Sequence, residues 1–383
     1  MKYRGKFYSA LFIFYGFVFA CGFTEAAQKS TRLIIWGDSE GMLRRPGDNP
    51  KNFNPAVLKL IKEIKRMDAQ DDAKIDLILC TGDFVRFDPV PTKPNEFLFF
   101  EKWPKPLLSK FYPTIGGDEE FLQGKYRYFM QEIGSWLKNT IPMESSLTSL
   151  AREAQNAAKD QGKDYYYALR AGVHLFSLWS PDNLDEIAIT PQYAKEDIFN
   201  PNFALQSRQY IWLARQLWQI RVAEADDRPV AILSHRPILN RSGKHLIDLF
   251  NAFDVDLVLS GDEHVLAKTT YQGVHYVVTG MMGDSLGGCD NLNKGYKGRK
   301  GNHFAYVVGP YEFCIPTIEL DRRGKPYKPA DDHYLNVYFE MNSMRMEAIR
   351  LEDNQIIENS HFATILTRDH DLKLQNDLWQ SLQ

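Results

Sequence analysis

With 383 residues the chain is long enough for one large domain or two modest ones. A hydrophobic fraction of 44% and a charged fraction of 25% are those of a folded chain and exclude a disordered or fibrous one. The net charge of -3 gives no electrostatic reason to expect nucleic acid as the main partner.

The N-terminus has the order of a secretory signal. Lys2, Arg4 and Lys6 precede an uncharged run from Phe7 to Phe23, with small residues at Ala20, Gly22, Ala26 and Ala27. Residues 1–27 are therefore expected to form a signal peptide, and residues 28–383 a single domain that is secreted or periplasmic. An uncleaved anchor is the competing reading, because the apolar run is near the lower limit for a span. Val18-Phe19-Ala20-Cys21 also resembles a bacterial lipobox, which would make Cys21 a lipid anchor. No later segment is apolar for long enough to cross a bilayer. Loss of residues 1–27 takes the net charge to -5 and leaves Cys80, Cys289 and Cys314. Cys80 lies in an apolar run and reads as a buried thiol. Export would permit a disulfide between Cys289 and Cys314, two unpaired thiols being the alternative.

Along the chain, short apolar runs alternate with longer helical patterns. Strands are expected at Arg32–Trp36, Ile75–Cys80, Tyr112–Ile115, Tyr165–Ala171, Val173–Trp179, Pro229–Leu233, Val255–Leu259 and Val274–Thr279. Helices are expected at Pro55–Met67, Gly124–Lys138, Leu147–Lys159, Gln206–Ala225 and Lys244–Phe253. Buried strands alternating with helices indicate an α/β architecture. Toward the C-terminus, Tyr334–Glu340, Arg345–Leu351 and Gln355–Ala363 read as antiparallel strands joined by turns at Asn342-Ser343 and Asp353-Asn354. Three strands alone bury too little surface to stand as a domain, so they are expected to complete a sheet edge.

Acids and histidines collect at the ends of these strands. The first strand runs into Gly37-Asp38-Ser39-Glu40-Gly41, the second into Thr81-Gly82-Asp83, and the third into Gly116-Gly117-Asp118-Glu119. Two later strands run into Ser234-His235-Arg236-Pro237 and Ser260-Gly261-Asp262-Glu263-His264. Each alone is weak, since Gly-Asp after a strand is usually only a turn and a lone histidine is usually a hydrogen-bonded core residue. Five such ends in one chain converge where α/β sheets form their ligand crevices.

The series resembles the calcineurin-like metallophosphoesterase pattern of D-x-H, GD, GNH-[D/E], a histidine after a strand, and GHxH. The resemblance spans roughly Thr31 to Gly283 and is nearest the purple acid phosphatase branch. Trp212-Leu213, Arg228-Pro229, Ser234-His235-Arg236-Pro237 and Gly273-Val274-His275-Tyr276-Val277-Val278-Thr279-Gly280 carry that finer likeness. It implies two packed mixed β-sheets flanked by helices, with a dinuclear metal centre at the strand ends and phosphate esters as substrates. Asp38, Asp83, His235 and His264 stand at metal-ligand positions of the pattern. Other positions depart from it. Glu40 takes the histidine place of D-x-H, Gly117 replaces a ligand asparagine, Asp118 replaces the histidine assigned to the leaving group, and Asp262 replaces the first histidine of GHxH. Arg86 stands where purple acid phosphatases have a tyrosine.

These departures shape the expected chemistry. Gly117 offers no side-chain ligand, which leaves Asp38, Glu40, Asp83, His235, Asp262 and His264 as candidate metal ligands. Such an oxygen-rich set favours hard divalent ions such as Mn, Mg or Ca, with Fe and Zn still open, and one or two ions are expected. Carboxylates crowded together repel one another, and a cation is the simplest compensation. Asp118 and His235 are the candidate catalytic residues, Asp118 as proton donor, although Asp118 and Glu119 could equally cap a helix. Arg86 and Arg236 are candidates to pair with substrate phosphate, or to neutralise the acids. The expected partner is a small phosphorylated substrate, and a non-catalytic, ligand-binding relative is the alternative. Gly301-Asn302-His303 spells GNH but follows the last motif in a lysine-rich loop, so it reads as incidental.

Overall fold

A computed structural model of the chain describes residues 30–39, 55–70, 74–84, 103–114, 116, 167–170, 172–180, 208–241, 244–280, 289, 311–316, 319–320, 326–328, 332–340, 342–366, 368, 371–380 and 382. The expected signal peptide, Cys21, the helices at 124–138 and 147–159, Glu40, Arg86, Asp118 and the 301–303 motif lie outside them. Among the described residues no helix is long and apolar enough to cross a membrane.

In chain order, β1 is Thr31–Trp36, α1 Pro55–Asp68, β2 Leu77–Cys80, α2 Lys105–Leu108 and β3 Phe111–Pro113. Then come β4 at Tyr167–Arg170, β5 at His174–Leu178, α3 at Arg208–Trp218, β6 at Val230–Ser234, α4 at Ile238–Arg241 and α5 at Lys244–Ala252. After them follow β7 at Leu257–Ser260, β8 at Val265–Tyr271, β9 at Val274–Thr279, β10 at Phe313–Pro316, β11 at Glu319–Leu320 and β12 at Pro326–Lys328. The last elements are β13 at His333–Phe339, β14 at Ser343–Arg350, β15 at Phe362–Ile365 and α6 at Leu372–Gln380.

Two mixed sheets make the body. One has six strands in the order β15-β14-β13-β1-β2-β3, and the other has seven in the order β10-β8-β9-β7-β6-β5-β4. β1, β2 and β3 are parallel, as are β5, β6, β7 and β9, so their carboxyl ends point the same way within each sheet. Period-two alternation explains how the layers stack. Ala231, Leu233, Leu257 and Leu259 join Leu33, Ile35 and Leu79 in one core between the sheets. Their neighbours Val230, Ile232 and Val258 turn the other way, into a second core under Leu213, Leu217, Leu246 and Phe250 of α3 and α5. Helix α1 covers the six-stranded sheet with Val57, Leu60, Ile61 and Ile64. Strands buried on both faces read as near-continuous apolar runs, which is why the inner strands were legible.

As expected, the C-terminal strands complete a sheet edge. β13 pairs antiparallel with β1 through Leu33↔Val337 and Ile35↔Leu335, and β14 and β15 extend the sheet outward. The last of them differs from expectation, since 355–361 form no continuous strand and β15 begins at Phe362. Asn354 and Asn359 have φ of 58° and 61°, and two left-handed residues break the ladder into a single bridge at Ile349↔Ile356. The sequence reading also omitted β8. Its signal was the Gln272-Gly273 pair, both with positive φ (50° and 82°), which turns β8 into β9 as a two-residue hairpin. Helix α3 runs on into a π-helical turn at Gln219–Ala223, and Cys289 and Cys314 are joined by a disulfide.

Polar links hold the ends of the seven-stranded sheet that lie opposite the strand carboxyl ends. The buried Arg221 guanidinium donates to the carbonyls of Phe253, Asp226, Arg228 and Asp254 at 2.6–3.1 Å. Asp256 accepts from the Val230 N–H at 2.7 Å and pairs with Arg368, which ties the C-terminal segment to the starts of β6 and β7. Asp226 lies 3.0 Å from His174 Nε2 and accepts from Arg228. Burial alone would raise the Asp226 pKa, but the bonds from His174 and Arg228 outweigh it and hold the carboxyl well below the ordinary value of 3.8. A carboxylate with a depressed folded pKa stabilises the fold above its unfolded pKa, and that contribution fades as pH falls toward the folded value. Asp226→Asn should therefore lower the unfolding midpoint at pH 7. The gap to the unchanged protein should close as the pH is taken below about 4 in chemical-denaturation curves. A gap that stays constant as the pH falls on from about 4 toward 2 would contradict the ionic role.

Candidate metal centre

Strand ends from both sheets meet at one point. β1 and β2 deliver Asp38 and Asp83 from the six-stranded sheet, while β6 and β7 deliver His235 and Asp262 from the seven-stranded one. Asp38 and His235 have no exposed surface, and the side chains of Asp83 and Asp262 are 15% and 18% exposed. Donor atoms of Asp38, Asp83 and His235 all lie within 4.8 Å of one another. His235 Nε2 is 3.3 Å from Asp83 Oδ2 and 3.6 Å from Asp262 Oδ1, and its Nδ1 is 3.7 Å from Asp38 Oδ1.

The backbone is bent to make this approach. Asp38, Asp83, Asp262 and His264 have φ of 47°, 48°, 68° and 49°, in the left-handed region that costs an L-residue roughly 1–2 kcal/mol. Such outliers persist only where the surroundings over-determine them, and they cluster at functional sites. Here the surroundings are hydrogen bonds between loops. Asp38 N–H donates to Gly82 O at 3.1 Å, Gly261 N–H to His235 O at 2.7 Å, and Asp262 N–H to both Asp38 oxygens at 3.1 and 2.9 Å. Gly82, with φ of 101°, lets the chain pass under the imidazole, for a Cβ there would sit 2.5 Å from His235 Nδ1. A Cβ on Gly280, just past β9, would collide with Asp38 Oδ2.

The charges act on one another at close range. Burial, and then the neighbouring Asp83 and Asp262 carboxylates, push the Asp38 pKa well above its ordinary value, against the lowering influence of His235 and the Asp262 N–H. Burial would lower the His235 pKa, but Asp83, Asp38 and Asp262 together raise it well above 6.5. Left to themselves these groups relieve the crowded negative charge by holding protons. A divalent cation relieves it more completely.

The residues fit such a cation. Thr81 O, which can only accept, lies 2.9 Å from His235 Nδ1, so Nδ1 carries a hydrogen, and a ring that yields its other proton to a cation presents its lone pair at Nε2. Nε2 is buried and faces the carboxylates, 3.3 Å from Asp83 Oδ2 and 3.6 Å from Asp262 Oδ1. Two carboxylates and one imidazole form a donor set of the kind that binds divalent metals.

The remaining site candidates distribute as follows. Asp262 borders the triad, while His264 stands outside the group of three whose donor atoms share the 4.8 Å compass. Arg236 donates its backbone N–H to Ser180 Oγ at 3.1 Å. Glu40, Arg86 and Asp118 lie outside the described residues. Sequence reasoning gave no role to Thr81, Gly280 or the Asp262 N–H. The first two act by contact with distant loops, and backbone donors have no sequence signature.

Comparison with known proteins follows the same lines. The sequence model of the calcineurin-like phosphoesterase family matches residues 51–266. No curated protein sequence matches the chain. Among solved structures, similar folds include the purple acid phosphatase PPD1 of yellow lupin (Lupinus luteus), at 15% identity and TM-score 0.48, covering 88% of this chain. The chain spans 54% of that protein's length. GAP50, the anchor in the inner membrane complex of Plasmodium, is similar at 12% identity and TM-score 0.47, covering 92% of this chain and 95% of its own. A dimetal phosphatase from Danio rerio is similar at 11% identity and TM-score 0.46, covering 88% of this chain and 99% of its own. At these identities the likeness concerns the fold.

Close packing around Asp38 is directly testable. Gly280→Ala should displace the Asp38 carboxylate from the Asp262 N–H and destabilise the protein by about 1–3 kcal/mol in denaturant titrations. Gly273→Ala, at a hairpin turn with open space around it, should cost only about 1 kcal/mol for its positive φ. Equal losses at the two positions would contradict the packing argument.

Proposed function

The chain belongs to the calcineurin-like phosphoesterase family, and on that premise we propose that it is an exported metal-dependent phosphoester hydrolase working through a variant metal site. The observation that carries this reading is the buried group of Asp38, Asp83 and His235, whose donor atoms share one 4.8 Å compass. Asp38, Asp83 and His235 would hold a divalent cation, with Asp262, His264 and Glu40 as further ligands. Oxygen donors outnumber nitrogen in that set, which favours Mn, Mg or Ca over Zn. A cation bound there supplies Lewis acidity toward a phosphoryl oxygen and lowers the pKa of water.

The chain's own residues do the rest. Asp262 places its backbone N–H on both oxygens of Asp38 and so fixes the buried carboxylate's orientation. His235 is turned by Thr81 O so that Nε2 faces the carboxylates. In this reading Asp118 gives a proton to the leaving alkoxide. Arg86 and Arg236 draw the substrate phosphate by charge. The substrate is a small phosphate ester, with no role for nucleic acid. The N-terminal pattern from Lys2 to Ala27 supports export of a single 28–383 domain to the periplasm or the exterior, with Cys21 as a lipid-anchor site under the lipobox alternative.

A second reading has its own observation. Gly117 has no ligand atom where the family pattern has asparagine, and Asp262 sets a third carboxylate beside His235. A site altered in this way suits a non-catalytic member that binds a phosphorylated ligand or a partner. Phosphatase and phosphodiesterase assays with Mn, Mg, Ca and Zn separate the two. Hydrolysis that falls at least about 100-fold in Asp83→Ala supports the enzyme, on the scale of losing a group that stabilises the transition state. Activity indifferent to that change would place the chemistry elsewhere. No activity in the natural chain, with a large gain on combining Gly117→Asn and Asp118→His, would favour the binding protein.

A further inference from the structure

Thr81 stands where five strand ends meet, and nothing in the proposed chemistry uses its hydroxyl. It is fully buried, next to the end of β2. Its N–H donates to Trp36 O at the end of β1 at 2.8 Å. Its Oγ1 donates to Thr279 O at the end of β9 at 3.1 Å, crossing from the six-stranded sheet to the seven-stranded one. Its carbonyl accepts from His235 Nδ1, beyond β6, at 2.9 Å. The chain beyond β7 also closes on it, since a Cβ on Gly261 would lie 2.8 Å from Thr81 Oγ1. Thr279 Oγ1 in turn meets His333 Nε2 of β13 at 3.2 Å, and His333 is fully buried. A buried polar chain thus runs from β13 through β9 and β2 to His235.

We propose that Thr81 is a positioning residue. Its hydroxyl, anchored on Thr279 across the two sheets, fixes the carbonyl that keeps the hydrogen of His235 on Nδ1 and presents Nε2 to a cation beside Asp38 and Asp83. The geometry leaves the imidazole little choice. A carbonyl oxygen repels a ring lone pair, so the tautomer with hydrogen on Nε2 would set two acceptors against each other 2.9 Å apart. Gly82 packs directly against the ring, for a Cβ there would lie 2.5 Å from Nδ1, and it leaves the imidazole no room on that side. Orientation of a histidine ligand by the group on its other nitrogen changes metal affinity by roughly 10–100-fold when that group is lost. In Thr81 that group is a backbone carbonyl, so the side chain acts on it indirectly, by holding the peptide in place. The inference rests on the metal-dependent reading for its consequence, and on the His235 geometry alone for its structural content.

Thr81→Val keeps the shape and removes the hydroxyl donor, and Thr81→Ser keeps the donor. Two readouts apply to each folded variant, confirmed by circular dichroism. One is the hydrogen-bonded Nδ1–H resonance of His235 in ¹⁵N NMR, assigned by its loss in His235→Asn. The other is the Kd for Mn by calorimetry. In Thr81→Val the resonance should shift and exchange with water faster, and the Kd should rise about 10–100-fold. Thr81→Ser should restore both. An unchanged resonance in Thr81→Val with a Kd within about threefold of the natural chain would overturn the proposal, since an outer partner that matters costs tenfold or more. So would a folded Thr81→Ser that fails as badly as Thr81→Val. Should valine prevent folding, Thr81→Ala removes the same donor without the added methyl group. If the natural chain binds no Mn, the metal-dependent reading fails, and the His235 resonance still decides the role of Thr81.

Discussion

A carboxylate with no access to water is the constraint on which this structure turns. Asp38 is fully buried, and two further acids and an imidazole stand around it. Burying a charge is costly unless it is paired and hydrogen-bonded. The fold meets that cost with directed donors, the Asp262 N–H on both oxygens, and with the nearby His235. Four residues around the cluster accept left-handed backbone to make the approach possible. A chain selected only for stability would place leucine or valine at such a junction. Retention of acids there, with strain in the loops that carry them, points to a positive charge that the site is built to receive.

Two sheets are needed to build such a place. Within one parallel sheet the carboxyl ends of the strands line a single edge, and acids there remain open to solvent. Packing two sheets face to face brings the ends of β1 and β2 against those of β6 and β7, so the loops shield one another. The leucines and isoleucines between the sheets set the spacing of these loops, together with the hydrogen bonds from Thr81 to Thr279 and from Asp262 to Asp38. At the opposite end Arg221, Asp256 and Arg368 lock the starts of β6 and β7, so that the layer carrying His235 is held at both ends. The C-terminal strands take part in the same design, because β13 pairs with β1 from Thr31 to Ile35 and sends His333 to Thr279.

Much of this was legible in the sequence, for physical reasons. Apolar runs such as Leu33–Trp36 and Val230–Leu233 are buried on both faces and stand out against any background. Asp38, Asp83, His235 and Asp262 were found because each follows such a run by one to three residues. What escaped was whatever depends on contact between distant segments. In the sequence Thr81 merely stands between a strand and Gly-Asp, and only the folded chain joins its hydroxyl to Thr279. Gly280 carries no signal in the sequence beyond closing the stretch from Gly273, yet it leaves room for the Asp38 carboxylate. β8 was missed because its outer half is partly exposed and polar, as in Lys268-Thr269-Thr270, and lacks the apolar signature of the inner strands.

The account holds that Asp38, Asp83 and His235 enclose a divalent cation. Elemental analysis of protein purified without chelators or metal-affinity resin, joined to anomalous scattering from crystals, measures this most directly. One or more equivalents of a divalent metal, with an anomalous peak within coordinating reach of Asp38, Asp83 and His235, is the predicted result. A stable, folded protein that carries no metal, and takes up none from millimolar Mn or Mg, would contradict the account.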